Sequence, residues 1–321
     1  MSDVVVLGSL NMDLVVRTAA IPRPGETVAG HGFTTIPGGK GANQAAAAAR
    51  LGAAVEMVGR VGDDAFGPAL LDNMRRQGVG VAHVTTDPQA PSGIAMITID
   101  ERGENAIIVA SGANGQVSGE DLHQIRDLLA GARYLVMQFE IPLDTVGQAI
   151  ALARELGVQV ILNPAPAYAV DAEFLRGVTC LIANETETET LTGIVVGDDD
   201  PASPKSSVAT AAEALMAGAS CASIPMVIIT LGARGAFLCT RDLRLHVPAR
   251  QVEVVDTTAA GDAFVGGFVA ALLRGLDLPD AVRYATCAGT LATTRLGAQT
   301  SLPSAEEVQA FYDQGARPTS P

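Results

Sequence analysis

The residues of this chain with the clearest chemical potential surround one carboxylate, Asp262. Three small residues at 259–261 precede it and let the backbone turn tightly. From Asp262 through Leu273 the chain is almost wholly apolar, which predicts a helix buried on all sides. The free N–H groups and the positive dipole end of such a helix start attract anions. Asp262 is therefore predicted to lie at an anion-binding turn, although an aspartate there could also serve as the helix N-cap.

A second motif lies far upstream and reads Gly-Gly-Lys-Gly-Ala-Asn-Gln over residues 38–44. Its glycines allow close approach of the backbone to a ligand, and its lysine and asparagine lie at the mouth of an alanine-rich helix. It is not a Walker A loop, because Gly41 follows the lysine and Thr34 takes the place of the first glycine. It is not a dinucleotide fingerprint, because Gln44 stands where glycine is required. Phosphate binding is therefore predicted to fall to the turn at 259–262.

With three further motifs, these segments resemble the ribokinases, within the wider family of sugar and nucleoside kinases that includes fructokinase and adenosine kinase. The further motifs are Asn11-x-Asp13 after the first strand, Asn-Glu-Thr-Glu at 184–187 and Thr-Leu-Gly-Ala-Arg-Gly at 230–235. The match runs from about Val4 to about Pro303. The resemblance implies an α/β fold, a ribokinase-like three-layer sandwich with a mostly parallel central sheet and a small β-sheet lid.

The resemblance also implies a reaction, the ATP-dependent phosphorylation of D-ribose at its 5-hydroxyl. Asp262 would take the proton of that hydroxyl as it attacks the γ-phosphate, and the backbone N–H groups of Ala259, Ala260, Gly261 and Asp262 would stabilise the developing charge. Sugar binding is implied for Asn11, Met12, Asp13, Gly39, Lys40, Gly41, Ala42, Asn43, Glu140 and Asp262.

Alternatives to these sugar-site assignments remain open. Asn11 and Asp13 also suit a turn after the first strand. Met12 between them would favour a deoxy sugar if its apolar side chain turned inward. The alternative functions are a kinase of 2-deoxyribose or another small sugar, and a non-catalytic sensor of sugar or nucleotide.

Nucleotide and cation sites follow from the same resemblance. ATP binding is implied for Asn184, Thr230, Leu231, Gly232, Ala233, Arg234, Gly235, Gly261, Asp262 and Thr286, the last standing where many ribokinases carry a histidine. Glu187 is expected near Mg2+, although Asn184 and Glu187 could equally form a capping box. A monovalent cation such as K+ is expected at Asp256, Thr258, Ala292, Arg295, Gly297 and Ser301, mostly through backbone carbonyls.

The elements that must position these residues alternate between strand and helix. Strands are predicted at 4–8, 55–58, 134–138, 158–162, 180–183 and 226–230, and helices at 43–51, 66–77, 143–156 and 186–191. This alternation indicates a mostly parallel sheet covered on both faces.

Two segments, 27–36 and 93–110, read instead as extended strands without helices. They indicate a small separate sheet within a single domain, 1–313. The resemblance implies that this sheet, formed by about 14–37 and 90–112, is a lid over the sugar site, and that two lids pair to make a homodimer. The tail at 314–321 is expected to fray, and the acidic 197–207 segment is read as a solvated loop, with a metal site as the alternative.

Composition bounds the remaining possibilities. The chain has 321 residues and a net charge of -14, which argues against nucleic acid and an anionic membrane as partners. Its four cysteines and four histidines follow no metal-ligand spacing, so buried thiols in a reducing compartment are expected. The N-terminal apolar run, 4–7, is too short for a signal peptide or a membrane span, and a cytoplasmic location is expected.

Overall fold

The computed structural model of the protein describes residues 2–217 and 224–315. Its strands, in chain order, are Val4–Leu7 (β1), Asn11–Thr18 (β2), Gly30–Gly38 (β3), Val55–Gly62 (β4), Gly80–Asp87 (β5), Gly93–Ile99 (β6), Asn105–Ala110 (β7), Tyr134–Met137 (β8), Gln159–Leu162 (β9), Val178–Asn184 (β10), Met226–Thr230 (β11), Ala236–Thr240 (β12) and Arg244–Val247 (β13). Its helices are Lys40–Arg50 (α1), Phe66–Arg76 (α2), Gly119–Gln124 (α3), Arg126–Ala130 (α4), Leu143–Leu156 (α5), Glu185–Thr192 (α6), Ser207–Ala217 (α7), Ala260–Leu273 (α8), Leu278–Ala292 (α9) and Ala305–Gly315 (α10).

A nine-stranded sheet forms the middle layer, in the order β13-β12-β11-β10-β9-β8-β1-β4-β5. Every neighbouring pair from β11 to β5 is parallel, and β12 and β13 continue the sheet antiparallel. Successive side chains of a strand point to opposite faces: Val4 and Val6 join one buried cluster with α1, α8 and α9, whereas Val5 and Leu7 join another with α5 and α7. The three-layer α/β sandwich expected from the sequence is confirmed.

A separate four-stranded sheet has the order β3-β2-β6-β7. The extended segment expected at 93–110 is a pair of antiparallel strands, and the one expected at 27–36 begins only at Gly30. Strand β2 also belongs to this sheet, which places Asn11 and Asp13 in a strand and not in the turn that was the alternative.

Two helices begin earlier than the sequence predicted. Helix α1 starts at Lys40, three residues before the expected Asn43, with the backbone of Gly39 in the left-handed region at φ 91°. Helix α8 starts at Ala260, before Asp262, with Ala259 as its N-cap. In both cases a residue with positive φ precedes the helix and redirects the chain. Asn43 and Asp262 therefore lie inside the first turns of their helices and not at the edges of those turns.

Two segments outside the sheets are the C-terminal tail, expected to fray, and the acidic loop at 197–207, expected to be solvated. Helix α10 continues through Gly315, and the rest of the tail expected to fray, 316–321, lies outside the described residues. In the acidic loop, the carboxylate of Asp199 accepts from the backbone N of Ser207 at 2.6 Å and from its Oγ at 2.5 Å, so this aspartate holds the start of α7.

Two kinds of feature are absent from residues 2–217 and 224–315. Within those ranges the chain has no helix with the length and apolar character to cross a bilayer. In the same part of the chain, no three or more histidine, cysteine, aspartate or glutamate side chains group as metal ligands would.

Candidate active site

The large sheet ends on a row of polar side chains. Ser9 follows β1, Glu140 follows β8, Asn163 follows β9, and Asn184 and Thr230 end β10 and β11. These strands are consecutive neighbours in the sheet. Because the carboxyl ends of parallel strands meet at the same edge, which is where open α/β sheets bind ligands, the five side chains border one site.

Helices α1 and α8 bring the two glycine-containing motifs into contact. A Cβ added at Gly266 of α8 would lie 2.6 Å from the backbone N of Ala48, so only glycine permits this close approach. Across the contact, Asn43 Nδ2 donates to Asp262 Oδ2 at 3.0 Å and Gln44 Nε2 donates to Asp262 Oδ1 at 2.9 Å. Both carboxylate oxygens therefore accept an amide hydrogen, which fixes the plane of the carboxylate.

The Asp262 side chain is buried, with 6% of its surface exposed. Burial raises its pKa above the ordinary value, while the Lys40 ammonium and the amide donors of Asn43 and Gln44 act in the opposite direction and the Glu140 carboxylate adds to the rise. A carboxylate with a raised pKa is a stronger proton acceptor. The site thus holds a buried carboxylate oriented by two neutral amide donors.

The turn before Asp262 has an unusual backbone. Ala259 adopts φ 59°, and it is the one non-glycine residue with positive φ among the described residues. Strain of this kind is concentrated at functional sites. The N–H of Ala260 donates to Thr257 O at 3.2 Å, so it is not free for an anion, contrary to the expectation for residues 259–262. The N–H groups of Gly261 and Asp262, in the first turn of α8, have no intrahelical acceptor.

Asn11 and Asp13 lie on one face of β2, beside the site. Asn114 Nδ2 donates to Asn11 Oδ1 at 2.7 Å, and the same Asn114 side chain bonds the backbone N and O of Leu10. Burial, with repulsion from the Glu140 and Asp262 carboxylates, raises the pKa of Asp13 to about 7. Asp13 thus shares a low-dielectric space with two other carboxylates.

Hydrogen bonds join Glu140 to Ser9 and to the backbone of Lys40. Glu140 Oε2 accepts from Ser9 Oγ at 2.5 Å and from the backbone N of Lys40 at 3.0 Å, and Ser9 Oγ accepts from Gly41 N at 3.2 Å. Burial acts to lower the pKa of the Lys40 ammonium, but the carboxylates of Asp262, Glu140 and Glu187 outweigh it and the pKa is raised. Lys40 is therefore a charged ammonium surrounded by carboxylates.

Met12 and Ala42 contribute no polar group to this space. Met12 lies on the face of β2 opposite Asn11 and Asp13, and it packs into the hydrophobic core with 4% of its surface exposed. Its side chain is not turned toward the site, which removes the argument that it would favour a deoxy sugar. Ala42 is buried, and its backbone N donates to Ser9 O at 2.9 Å.

Two adjoining cavities meet at the turn formed by residues 259–262. An apolar cavity of about 270 Å³ is lined by residues that include Thr230, Gly232, Ala233, Gly235, Val252, Phe264 and Thr286. A more polar cavity of about 210 Å³ is lined by residues that include Lys40, Asn163, Asn184, Glu187, Ala259 and Asp262. Thr230, Thr257 and Gly261 border both. The apolar cavity, called the apolar slot below, therefore adjoins the polar cavity at these residues, and the Asp262 carboxylate lines the polar cavity.

Two residues of the expected nucleotide set have side chains directed elsewhere. Leu231 is buried in the core cluster beneath α5 and α7. Arg234 pairs with Glu185 at 2.6 Å and donates to the carbonyl of Gly197 at 2.8 Å. Neither side chain lines the two cavities, so their part in the site is to shape the backbone of the turn after β11.

Asn184 and Glu187 form the capping box that was one of their two interpretations. Glu187 N donates to Asn184 Oδ1, and Asn184 N donates to Glu187 Oε2, both at 2.8 Å. Both side chains also line the polar cavity. Burial raises the pKa of the Glu187 carboxyl, against the opposing effects of the Asn184 N–H and the Lys40 charge.

The expected cation residues form two segments that lie side by side. Asp256 N donates to Thr293 O at 3.1 Å, just after Ala292 ends α9, and Gly297 N donates to Asp256 Oδ2 at 2.8 Å. Asp256 Oδ1 also accepts from Thr258 N at 2.9 Å. The side chain of Arg295 pairs with Glu307, and that of Ser301 is fully buried. The 256–258 segment directly precedes the turn at 259–262, and Asp256 joins it to the segment that follows α9.

Sequence reasoning missed four polar residues of the site. Asn163 directly follows β9, so the rule that drew attention to Glu140, a polar residue just past a strand, would also have found it. Gln44 stands beside Asn43 in an otherwise alanine-rich helix, and Ser9 follows β1. Asn114 carries no local signal, because its role depends on a contact with a residue 103 positions away.

Comparison with known proteins agrees with this geometry. The family model described as pfkB family carbohydrate kinase matches residues 1–305. A ribokinase of Haemophilus influenzae is 38% identical over 96% of this chain and 97% of its own length, and a deoxyribokinase of Salmonella typhi is 36% identical over 96% and 98%. The structure of Arabidopsis thaliana ribokinase complexed with ribose and ATP superposes with a TM-score of 0.85 at 29% identity, covering 97% of this chain and 98% of that one. The chain therefore belongs to the pfkB family of carbohydrate kinases, and it is a kinase of the ribokinase type.

Proposed function

We propose that this protein transfers the γ-phosphoryl group of ATP to the 5-hydroxyl of D-ribose, giving ribose 5-phosphate and ADP. One observation carries the proposal. The buried Asp262 carboxylate lies in the first turn of α8 and lines the polar cavity, which adjoins the apolar cavity at that turn. The ribokinase of Haemophilus influenzae and the ribose- and ATP-bound Arabidopsis thaliana structure support the choice of substrates.

In this proposal Asp262 is the catalytic base. As the 5-hydroxyl oxygen forms its bond to the γ-phosphorus, its proton passes to the Asp262 carboxylate and the bond from phosphorus to the ADP oxygen breaks. The free N–H groups of Gly261 and Asp262 stabilise the charge on the phosphoryl oxygens, and loss of one such preorganised donor typically costs about 3 kcal/mol.

The ribose hydroxyls would be bound by Asn11, Asp13, Asn43, Lys40 and Glu140, with Gly39 and Gly41 allowing close backbone approach. Asn43 Oδ1 is buried and accepts no hydrogen bond within the described part of the chain. A buried acceptor of this kind is costly unless a ligand satisfies it. A sugar hydroxyl at this position would donate to Asn43 and lie beside Asp262.

The nucleotide would occupy the apolar slot, with Thr286 at its wall and the phosphates at the turn. Glu187, Asn184 and Asn163 fit a site for Mg2+ bound to the phosphates, because this ion usually takes one or two carboxylates and completes its shell with water and phosphate. When bound, Mg2+ would neutralise charge on the phosphates. K+ held between 256–258 and 292–301 would order the turn at 259–262.

We also propose that the protein is a cytoplasmic homodimer. The free, buried Cys180, Cys239 and Cys287 support a reducing compartment, and Cys221 lies outside the described residues. The small sheet exposes apolar side chains, Phe33, Met96 and Ile108 among them, and large exposed apolar patches mark interaction sites. In the dimer, the small sheet acts as a lid over the sugar.

The alternative substrate is 2-deoxyribose, which the similarity to the Salmonella typhi deoxyribokinase favours. Comparing kcat/KM for D-ribose and 2-deoxy-D-ribose at fixed ATP decides between them. A buried polar group left unpaired by the missing hydroxyl costs about 1–3 kcal/mol, so ribose should be preferred roughly ten- to hundredfold. A ratio near one, or favouring deoxyribose, would reject ribose as the preferred substrate. If no sugar leads to the release of ADP, the alternative of a non-catalytic sensor of sugar or nucleotide would be favoured.

A further inference from the structure

We propose that Gln44 is a positioning residue for the reaction, whose side-chain amide holds Asp262 in place and ties it to Asn163 on the nucleotide side of the site. The inference rests on the proposed role of Asp262 as the base. Gln44 itself lines neither of the two cavities, so it would act through Asp262.

The Gln44 side-chain amide makes three hydrogen bonds. Its Nε2 donates to Asp262 Oδ1 at 2.9 Å and to Asn163 Oδ1 at 3.0 Å, and its Oε1 accepts from Gln138 Nε2 at 2.6 Å. The side chains of Gln44 and Gln138 are each 1% exposed. A primary amide has two N–H groups, and both are used here. Rotation or flipping of the amide would break all three bonds at once.

The network continues from Asn163 to the nucleotide side. Asn163 Nδ2 donates to Ile182 O at 2.9 Å and to Glu187 Oε2 at 3.4 Å, and Glu187 Oε2 also accepts from Asn184 N at 2.8 Å. Asn163 is anchored to the end of β10, so its position depends on the sheet and not on the ligand. The base and the acidic residue expected near Mg2+ are thereby held in one connected set of hydrogen bonds.

Gln44 also favours the ionised form of Asp262, because it donates to the charged carboxylate. The charged groups facing Asp262 are Lys40 on α1, Glu140 after β8, Asp13 on β2 and Glu187 on α6. Lys40 is a cation, whereas Glu140, Asp13 and Glu187 are carboxylates that disfavour a further negative charge. Removing the Gln44 donor leaves Asp262 more dependent on Lys40 and Asn43 for its ionised state.

Two variants test the proposal, Gln44→Met and Gln44→Glu. We expect a fall in kcat of about tenfold or more, with Kd for ribose and ATP nearly unchanged, since one hydrogen bond to a charged group is lost. The acid limb of the kcat–pH profile should move up by about one to two pH units. The shift should be larger for Gln44→Glu, which keeps the shape of the side chain but adds a carboxylate. Gln148→Met, an exposed change on α5 remote from the site, should leave both measurements unchanged.

A double-mutant cycle tests the tie to Asn163. Because Gln44 and Asn163 share a hydrogen bond, the effects of Gln44→Met and Asn163→Leu on kcat should be clearly less than additive. Additive effects would overturn this half of the proposal. An unshifted acid limb of the kcat–pH profile together with near-normal kcat in Gln44→Met would overturn the proposal that Gln44 holds Asp262 in place. Should Gln44→Met fail to bind ribose and ATP, the same readouts on Gln44→Glu decide.

Failure of the inference on Gln44 can be distinguished from failure of the proposed function. If Asp262→Asn turns over normally, the base assignment fails. If Asp262→Asn is inactive while both Gln44 variants behave like the wild type, the inference on Gln44 alone fails.

Discussion

Asn43 Nδ2 lies 3.0 Å from Asp262 Oδ2, although the two residues are 219 positions apart in the chain. This contact joins the first turn of α1 to the first turn of α8, and it exists because alanines of α1 pack against Gly266. The Gly-Ala-Asn segment at 41–43 and Asp262 are thus two parts of one site, and each part lies in the first turn of its own helix.

Asp13→Asn is expected to raise the Tm, most strongly above pH 7. Burial and neighbouring carboxylates raise the pKa of Asp13 from 3.8 to about 7, so its ionised form destabilises the folded state. This cost reaches up to about 4 kcal/mol above pH 7 and shrinks as the pH falls toward the unfolded-state pKa. Thermal melts of both proteins at pH 8 and pH 5 should show the larger gain at pH 8. An equal gain at both values would contradict a raised pKa at Asp13.

Asn114→Leu is expected to raise the KM for ribose about tenfold while leaving the KM for ATP nearly unchanged, because one buried hydrogen bond that orients Asn11 is lost. The Asn114 side chain also bonds Leu10, where the chain passes from β1 to β2. Steady-state kinetics with each substrate varied in turn provide the test. Equal effects on both KM values would indicate general loosening and not a role in orienting Asn11.

K+ is expected to raise activity without being consumed. The Asp256 carboxylate binds Gly297 N and Thr258 N, so it joins the two segments that would surround the ion. Rates in K+ and in tetramethylammonium buffer give the comparison, with Asp256→Ala as a variant that should lose most of the response. Equal rates of the wild type in both buffers would count against the site.

The protein is expected to be a dimer at micromolar concentration, and Phe33→Asp combined with Ile108→Asp should make it monomeric. These side chains are 66% and 68% exposed, and the strand register puts them on the same face of the small sheet. Val195→Asp is the matched control, since Val195 is 64% exposed away from that sheet. Sedimentation velocity distinguishes the species, and a monomeric wild type would exclude the dimer.

Much of this architecture could be predicted from local sequence. Alternating apolar runs and helix signals indicated the parallel sheet, and the glycines around Lys40 and before Asp262 indicated where two helices begin to within about three residues. The positive φ of Ala259 could not be predicted, because alanine rarely adopts it and the surrounding turn imposes it. The contacts of Asn114 with Asn11 and of Gln44 with Asn163 depend on how strands and helices come together, which no local pattern encodes.

The most direct test of the account is the turnover of Asp262→Asn with ATP and D-ribose. The substitution keeps the size of the side chain but removes the proton acceptor, so kcat should fall by about a hundredfold or more. Calorimetric titration of the same protein should show ribose and ATP binding largely intact. Near-normal turnover by this variant, correctly folded, would contradict the assignment of Asp262 as the base.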